Sequence, residues 1–256
     1  MDYNYHTHTV RCRHATDADE EYVRCAIDGG IKYMGFSDHA PFIFPDGHEA
    51  NWRVETSRAE EYIESIRALR EKYRDKIELK VGFEMEYYPL YFDDMLANVK
   101  QLRAEYLILG QHFLFNEHPN GKRTSATNDS PEELASYAKD VCDAIRSGCF
   151  SYVAHPDIIN FTGDDDAYYR EIVKICETSK ECLIPLEINF LGIRSGRRYP
   201  NDRFWKIAGE VGSPVTFGMD AHESISAADR DSLPKAMDIV KKFKLNYIGK
   251  PNIISI

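Results

Sequence analysis

Short apolar runs rich in β-branched and aromatic residues alternate with longer amphipathic stretches along the 256-residue chain. This rhythm constrains the fold more than any other feature of the sequence. Residues 3–6, 33–37, 77–84, 106–110, 152–155, 183–189 and 214–219 read as strands, each followed by a helical stretch. Asp19-Glu20-Glu21 leads a helix that stops at Gly29-Gly30, a C-terminal glycine signal. Residues 55–73 place Tyr62, Ile66, Leu69 and Tyr73 on one face. Ser130-Pro131-Glu132-Glu133 combines a cap, a first-turn proline and acidic residues that favour a helix start. Residues 168–179, 202–209 and 227–243 continue the pattern. Seven β-then-α units describe a parallel sheet in an α/β fold, and their regularity predicts one barrel domain over residues 1–256. Polar insertions rich in Pro, Gly and Asn are expected at 41–51 and 116–129.

Charge and composition narrow the function. Forty-two acidic against 32 basic residues give a formal net charge of −10, which argues against a nucleic-acid partner. No uncharged apolar stretch approaches the ~20 residues of a membrane helix, so no membrane association is expected. The N-terminus shows no basic region followed by an apolar segment, so the expected location is the cytoplasm. There the six scattered cysteines, without a CxxC pair, read as reduced thiols. No signal for an oligomeric state is present. A small-molecule enzyme or binder fits.

Seven of the nine histidines fall at or just past the ends of the expected strands. His6 and His8 close the first, with His14 in the loop beyond. His39 follows the second, His112 the fourth, His155 the fifth and His222 the seventh. Glu84 and Asp220 hold equivalent places after the third and seventh. In a parallel barrel the C-terminal strand ends gather at one mouth, where active sites form. Residues two apart in an extended segment share a face, so His6 and His8 can grip one ion. Imidazole and carboxylate suit Zn, Mn or Fe, and the lack of thiolate clusters argues against a structural zinc knuckle. Seven histidines and two carboxylates exceed the needs of one ion, so the expectation is two to three divalent ions. A single strand-end histidine would be ordinary loop chemistry; the succession is the signal. His48 and His118 lie in the insertions and read as solvated loop residues.

These residues, in this order, resemble the PHP family, named for polymerase and histidinol phosphatase domains. The resemblance rests on Tyr5-His6-Thr7-His8-Thr9, Cys12-Arg13-His14-Ala15, Gly35-Phe36-Ser37-Asp38-His39-Ala40-Pro41, Gly82-Phe83-Glu84-Met85-Glu86-Tyr87, Ala154-His155-Pro156-Asp157, Glu187-Ile188-Asn189 and Asp220-Ala221-His222. The Ser37–Pro41 and His14-Ala15 pieces are most similar to the histidinol-phosphatase branch, although Gly110-Gln111-His112 is shorter than that branch's usual fourth-strand motif. The resemblance implies a distorted seven-stranded (β/α)7 TIM-like barrel with a trinuclear centre. It would put one ion on His6, His8, Glu84 and Asp220, a second on Glu84, His112 and His155, and a third on His14, His39 and His222. It further implies hydrolysis of a small phosphorylated substrate, L-histidinol phosphate first, by attack of a metal-bridging hydroxide. Glu84 would set the ion separation, and Asp220 or His222 would protonate the leaving oxygen. An arginine after the sixth strand would contact the phosphate; Arg194 lies closest to that strand, with Arg197 and Arg198 beyond. Lys122-Arg123 reads as a solvated pair and Cys12 as a packing residue. The alternatives are another phosphomonoester or a nucleotide as substrate, or an idle metal-binding module, which a substituted ligand would betray.

Overall fold

A computed structural model describes all 256 residues. Four parallel strands form the first part of the sheet in chain order: β1 (Tyr3–Asn4), β2 (Tyr33–His39), β3 (Glu78–Met85) and β4 (Leu107–Leu109). An antiparallel hairpin of β5 (Phe113–Leu114) and β6 (Lys122–Arg123) interrupts them. Parallel pairing resumes in β7 (Leu186–Asn189), β8 (Pro214–Gly218) and β9 (Asn246–Tyr247). The result is a curled parallel half-barrel sheet in an α/β fold. Single-residue parallel bridges, Leu109 to Val153 and Val153 to Leu186, join the two groups along one seam, and Thr7 to Ala221 joins them along the other.

The helices are α1 (Asp19–Asp28), α2 (Ala59–Tyr73), α3 (Phe92–Gln101), α4 (Pro131–Arg146), α5 (Asp165–Cys182), α6 (Phe190–Arg194), α7 (Asp202–Val211) and α8 (Ser232–Phe243). Ser130 Oγ accepts the backbone N–H of Glu133 at 3.2 Å, as the sequence of α4 predicts. Three expectations shift. Leu183, expected to open a strand, instead caps α5 at φ 57°, so β7 starts three residues later. The helix expected over 227–243 is split into a 3₁₀ turn (Ser224–Ala228) and α8, because Pro234 can stand only in the first turn of a helix. Helix α3 had not been singled out, yet Phe92, Met95 and Val99 give it a buried face.

Two apolar clusters hold the sheet. The larger lies between sheet and helices, where Phe36, Leu79, Val81 and Phe83 meet Tyr62 and Ile66 of α2. Each such side chain stabilises by about 1.5–3 kcal/mol on burial. The smaller comprises Tyr3, Tyr5, Tyr106, Ile108, Tyr152 and Ala154. Tyr106 fills the space where a Cβ on Gly82 would stand 2.6 Å from its ring, and its hydroxyl donates to the Tyr5 carbonyl at 2.9 Å. Alternation along β3 puts Glu84 on the same face as Gly82, so this tyrosine cluster forms the floor beneath Glu84.

Candidate metal centre

The register of two strand ends gathers four of the expected ligands. Thr7 pairs with Ala221: His8 N–H donates to the Ala221 carbonyl at 2.9 Å and Ala221 N–H to the His6 carbonyl at 3.1 Å. The neighbours on either side, His6 and His8 on one segment and Asp220 and His222 on the other, therefore face one way. Asn4 fixes the first segment by accepting from His6 N–H at 3.0 Å and donating to Thr7 Oγ1 at 2.8 Å.

Glu84 is the hub. Its Oε2 lies 3.1 Å from His39 Nδ1, 3.6 Å from His8 Nε2 and 3.7 Å from His6 Nε2. Its Oε1 lies 2.8 Å from His155 Nε2 and 3.6 Å from His112 Nε2. Asp220 Oδ1 stands 3.2 Å from His222 Nδ1, 3.4 Å from His8 Nε2 and 3.6 Å from His6 Nε2. His14 reaches the group through the 3₁₀ turn Val10–Cys12, and its ring centroid lies 4.8 Å from that of His222 and 5.2 Å from that of His39. His155 at φ 31° and Asp220 at φ 47° both adopt left-handed backbone. Such residues cost about 1–3 kcal/mol each and persist where the surroundings enforce them.

All nine expected ligands thus converge, though not in the expected partition. Donor atoms within 4.8 Å of one another join His14, His39 and His222, as the resemblance implies, and also His6, His8 and Glu84. His155, however, groups with His6 and Asp220, and His112 with His39 and Glu84. Cys12 lies near His8 and His222, but burial beside Asp38 raises its thiol pKa, which favours a packing role.

The donor set fits divalent ions. His6 Nε2, both ring nitrogens of His8, His39 Nδ1 and Asp220 Oδ1 are buried without a hydrogen-bond partner. Leaving a buried polar atom unpaired costs about 1–3 kcal/mol, so several in one cluster mark atoms whose partner is an ion. Burial works to lower His6 and His8, but the carboxylates of Glu187, Asp220 and Glu84 hold His6 well above its ordinary pKa, and those of Asp220, Asp38 and Glu84 raise His8 to about 9. Burial and neighbouring imidazoles push the outer group the other way, His39 well below and His222 to about 4. The outer imidazoles are therefore neutral and ready to ligate, whereas an ion at the inner ones displaces protons.

A cavity of about 550 Å³ opens onto this cluster, walled by Arg13, Trp52, Arg123, Ile158, Arg197 and Tyr199. Arg197 lines it, with Nη1 donating to the Tyr199 hydroxyl at 2.8 Å. Arg194 does not, contrary to expectation. Its guanidinium donates to the carbonyls of Met219 and Asp220, each at 2.6 Å, and so braces the left-handed turn at Asp220. Arg198 lines an adjoining recess with Arg123 and His112. Lys122 pairs with Glu133, but Arg123 lies on the cavity wall rather than in solvent as expected. His48 and His118 stay outside, stacked at 3.9 Å between centroids, with His118 Nε2 2.7 Å from Asp46 Oδ2.

A family model described as the PHP domain matches residues 4–190, more than half of the chain. The chain belongs to the PHP domain family. This PHP domain is 27% identical over 225 residues to a probable histidinol-phosphatase of Deinococcus radiodurans, covering 85% of each chain. It is 25% identical over 253 residues to the histidinol-phosphatase of Bacillus subtilis, covering 86% of this chain and 92% of that one. The fold is similar to that of a histidinol phosphate phosphatase from Lactococcus lactis solved with zinc, L-histidinol and phosphate. That match has a TM-score of 0.71 and 18% identity, over 96% of this chain and 95% of the other.

Three acidic residues of the PHP domain support the ligands without having been singled out in the sequence. Glu187 accepts His6 Nδ1–H at 2.9 Å, Glu86 accepts His112 Nδ1–H at 2.8 Å, and Asp38 Oδ1 stands 3.5 Å from His8 Nδ1. Such partners fix the tautomer and orientation of a ligating imidazole. Their signal was available: Glu187 ends a strand as Glu84 does, and Glu86 follows Glu84 by the two-residue period of an extended chain.

Proposed function

We propose that this PHP domain is a metal-dependent phosphatase of a small phosphomonoester, converting L-histidinol phosphate to L-histidinol in histidine biosynthesis. The observation that carries the reading is Glu84, buried and within 2.8–3.7 Å of five imidazoles, in a cluster whose ring nitrogens lack other partners. The names of the Deinococcus and Bacillus relatives support the substrate. Two or three zinc, manganese or iron ions would be held by His6, His8, His14, His39, Glu84, His112, His155, Asp220 and His222. When bound, they supply Lewis acidity toward the phosphoryl oxygens and a water that is nucleophilic near neutral pH. Glu84 keeps the two sides of the cluster at a fixed separation. Arg197, steadied by Tyr199, binds the phosphate dianion as a fork. Asp220 and His222 both line the cavity, and this pair delivers the proton to the leaving oxygen. Trp52, Ile158 and Leu191 restrict water around the reacting group. We read the sheet as a closed seven-stranded barrel with 152–155 as the fifth strand; the bridges at both seams support that count. A cytoplasmic site of action fits a chain in which no helix is long and apolar enough to cross a membrane.

The test is a panel of L-histidinol phosphate, nucleotides and p-nitrophenyl phosphate on metal-replete protein. Histidinol phosphate should lead in kcat/KM by about two orders of magnitude or more, worth roughly 2.7 kcal/mol of transition-state discrimination. A nucleotide in the lead would replace the substrate. No hydrolysis of any member would remove the reading altogether.

A further inference from the structure

Arg53 is fully buried, follows the first polar insertion and belongs to no part of the cavity wall. Its guanidinium is fully used. Nη2 donates to Glu86 Oε2 at 2.6 Å and to Glu117 Oε2 at 2.9 Å, Nε to Glu117 Oε1 at 3.0 Å, and Nη1 to the Ala40 carbonyl at 3.0 Å. Both carboxylates are themselves almost wholly buried. A charge that deep is expensive, and one cation facing two anions is not the cheapest way to fill a core. What the arrangement does is connect. Glu86 offers its other oxygen, Oε1, to His112 Nδ1–H at 2.8 Å, which turns His112 Nε2 toward Glu84. Glu117 begins the turn closed by Gly121 N–H to the Glu117 carbonyl, which leads into β6 and Arg123 on the cavity wall. Ala40 adjoins His39. The guanidinium fork therefore touches the supports of two candidate ligands and of one wall arginine at once.

We infer that Arg53 is a positioning residue that sets the His112 imidazole through Glu86 and the Arg123 wall through Glu117, so that the metal cluster and the substrate-facing hairpin share one anchor. The inference deepens the phosphatase reading and rests on it for its kinetic readouts, but not for its metal-binding readout. The two arms are separable. Glu86→Gln acts on the His112 arm: supporting partners of this kind carry about 10–100-fold in metal affinity. Cobalt(II) titration of the metal-free protein, followed by its visible absorption, should show one binding step weakened at least tenfold with an altered band. For p-nitrophenyl phosphate, kcat should then fall while KM stays within twofold. Glu117→Gln acts on the hairpin arm: KM should rise about fivefold or more, with kcat and the cobalt titration unchanged. Arg53→Lys keeps the charge but loses the fork, and should show both effects. Wild-type titration and KM in Arg53→Lys would overturn the inference. So would Glu86→Gln and Glu117→Gln moving the same parameter, or neither moving any; that pair decides should Arg53→Lys not fold. If the wild-type protein hydrolyses no phosphomonoester, the phosphatase reading falls, and the cobalt titrations of Glu86→Gln and Arg53→Lys still decide the His112 arm.

Discussion

Gly110→Ala tests the hub with a single methyl group. Gly110 follows β4 and packs against Glu84: a Cβ there would stand 2.0 Å from Glu84 Oε1, 2.5 Å from its Cδ and 2.6 Å from its Cγ. Gly110 does not occupy left-handed backbone, so alanine adds no conformational strain of its own. The clash is with the carboxylate alone, and that side chain is 1% exposed with imidazoles around it. Non-bonded heavy atoms settle near ~3.5 Å, so the carboxylate must shift by more than about 1 Å. Metal–ligand distances tolerate roughly ±0.2 Å. The shift also breaks the 2.8 Å contact between Glu84 Oε1 and His155 Nε2. A hydrogen bond to a charged group contributes about 1.5–3 kcal/mol. At 1.4 kcal/mol per decade, ions that use Glu84 should bind roughly 10–100-fold more weakly. The assay is metal content after dialysis against a zinc buffer, with turnover of p-nitrophenyl phosphate and far-UV circular dichroism to confirm the fold. Folded Gly110→Ala protein with wild-type metal content and turnover would refute the claim that Glu84 is the hub.

The remaining predictions concern other links of the account. Arg194→Ala should lower kcat and metal content with little change in KM, because Arg194 braces the Asp220 turn, whereas Arg197→Ala should raise KM at constant metal content; the reverse pattern would restore Arg194 as the phosphate contact. Asp140 on α4 is buried, and burial pushes its pKa up from 3.8 to about 6. The folded state therefore binds its proton more tightly than the unfolded chain, and the stability this group contributes is lost as pH rises from about 4 to 6. Asp140→Asn should accordingly raise the thermal midpoint more at pH 7.5 than at pH 4.5, and an equal or opposite shift would count against that burial effect.

How much of this was legible in the sequence can be traced to individual residues. The strand ends that carry His6, His39, Glu84, His112 and Asp220 follow from short-range rules, since hydrophobic periodicity places a strand and its end places the ligand. The capped start of α4 and the glycine stop of α1 follow likewise from local backbone chemistry. Local rules failed where long-range pairing decides. Residues 152–155 look like a strand, yet they pair only through Val153, between β4 and β7. Arg194 looked like a ligand contact because it stands near a strand end, but two carbonyls of the next strand loop claim its guanidinium. Arg53 carried no signal at all, because its partners Glu86 and Glu117 are 33 and 64 residues away.

The central claim is that this barrel mouth holds a multinuclear centre on which phosphomonoester hydrolysis depends. Its most direct test is elemental analysis of the purified protein, paired with histidinol phosphate turnover before chelation, after chelation and after re-addition of zinc or manganese. Two to three ions per chain, with activity lost and then restored, is the predicted result. At most one weakly held ion per chain, or undiminished turnover in the presence of chelator, would contradict it.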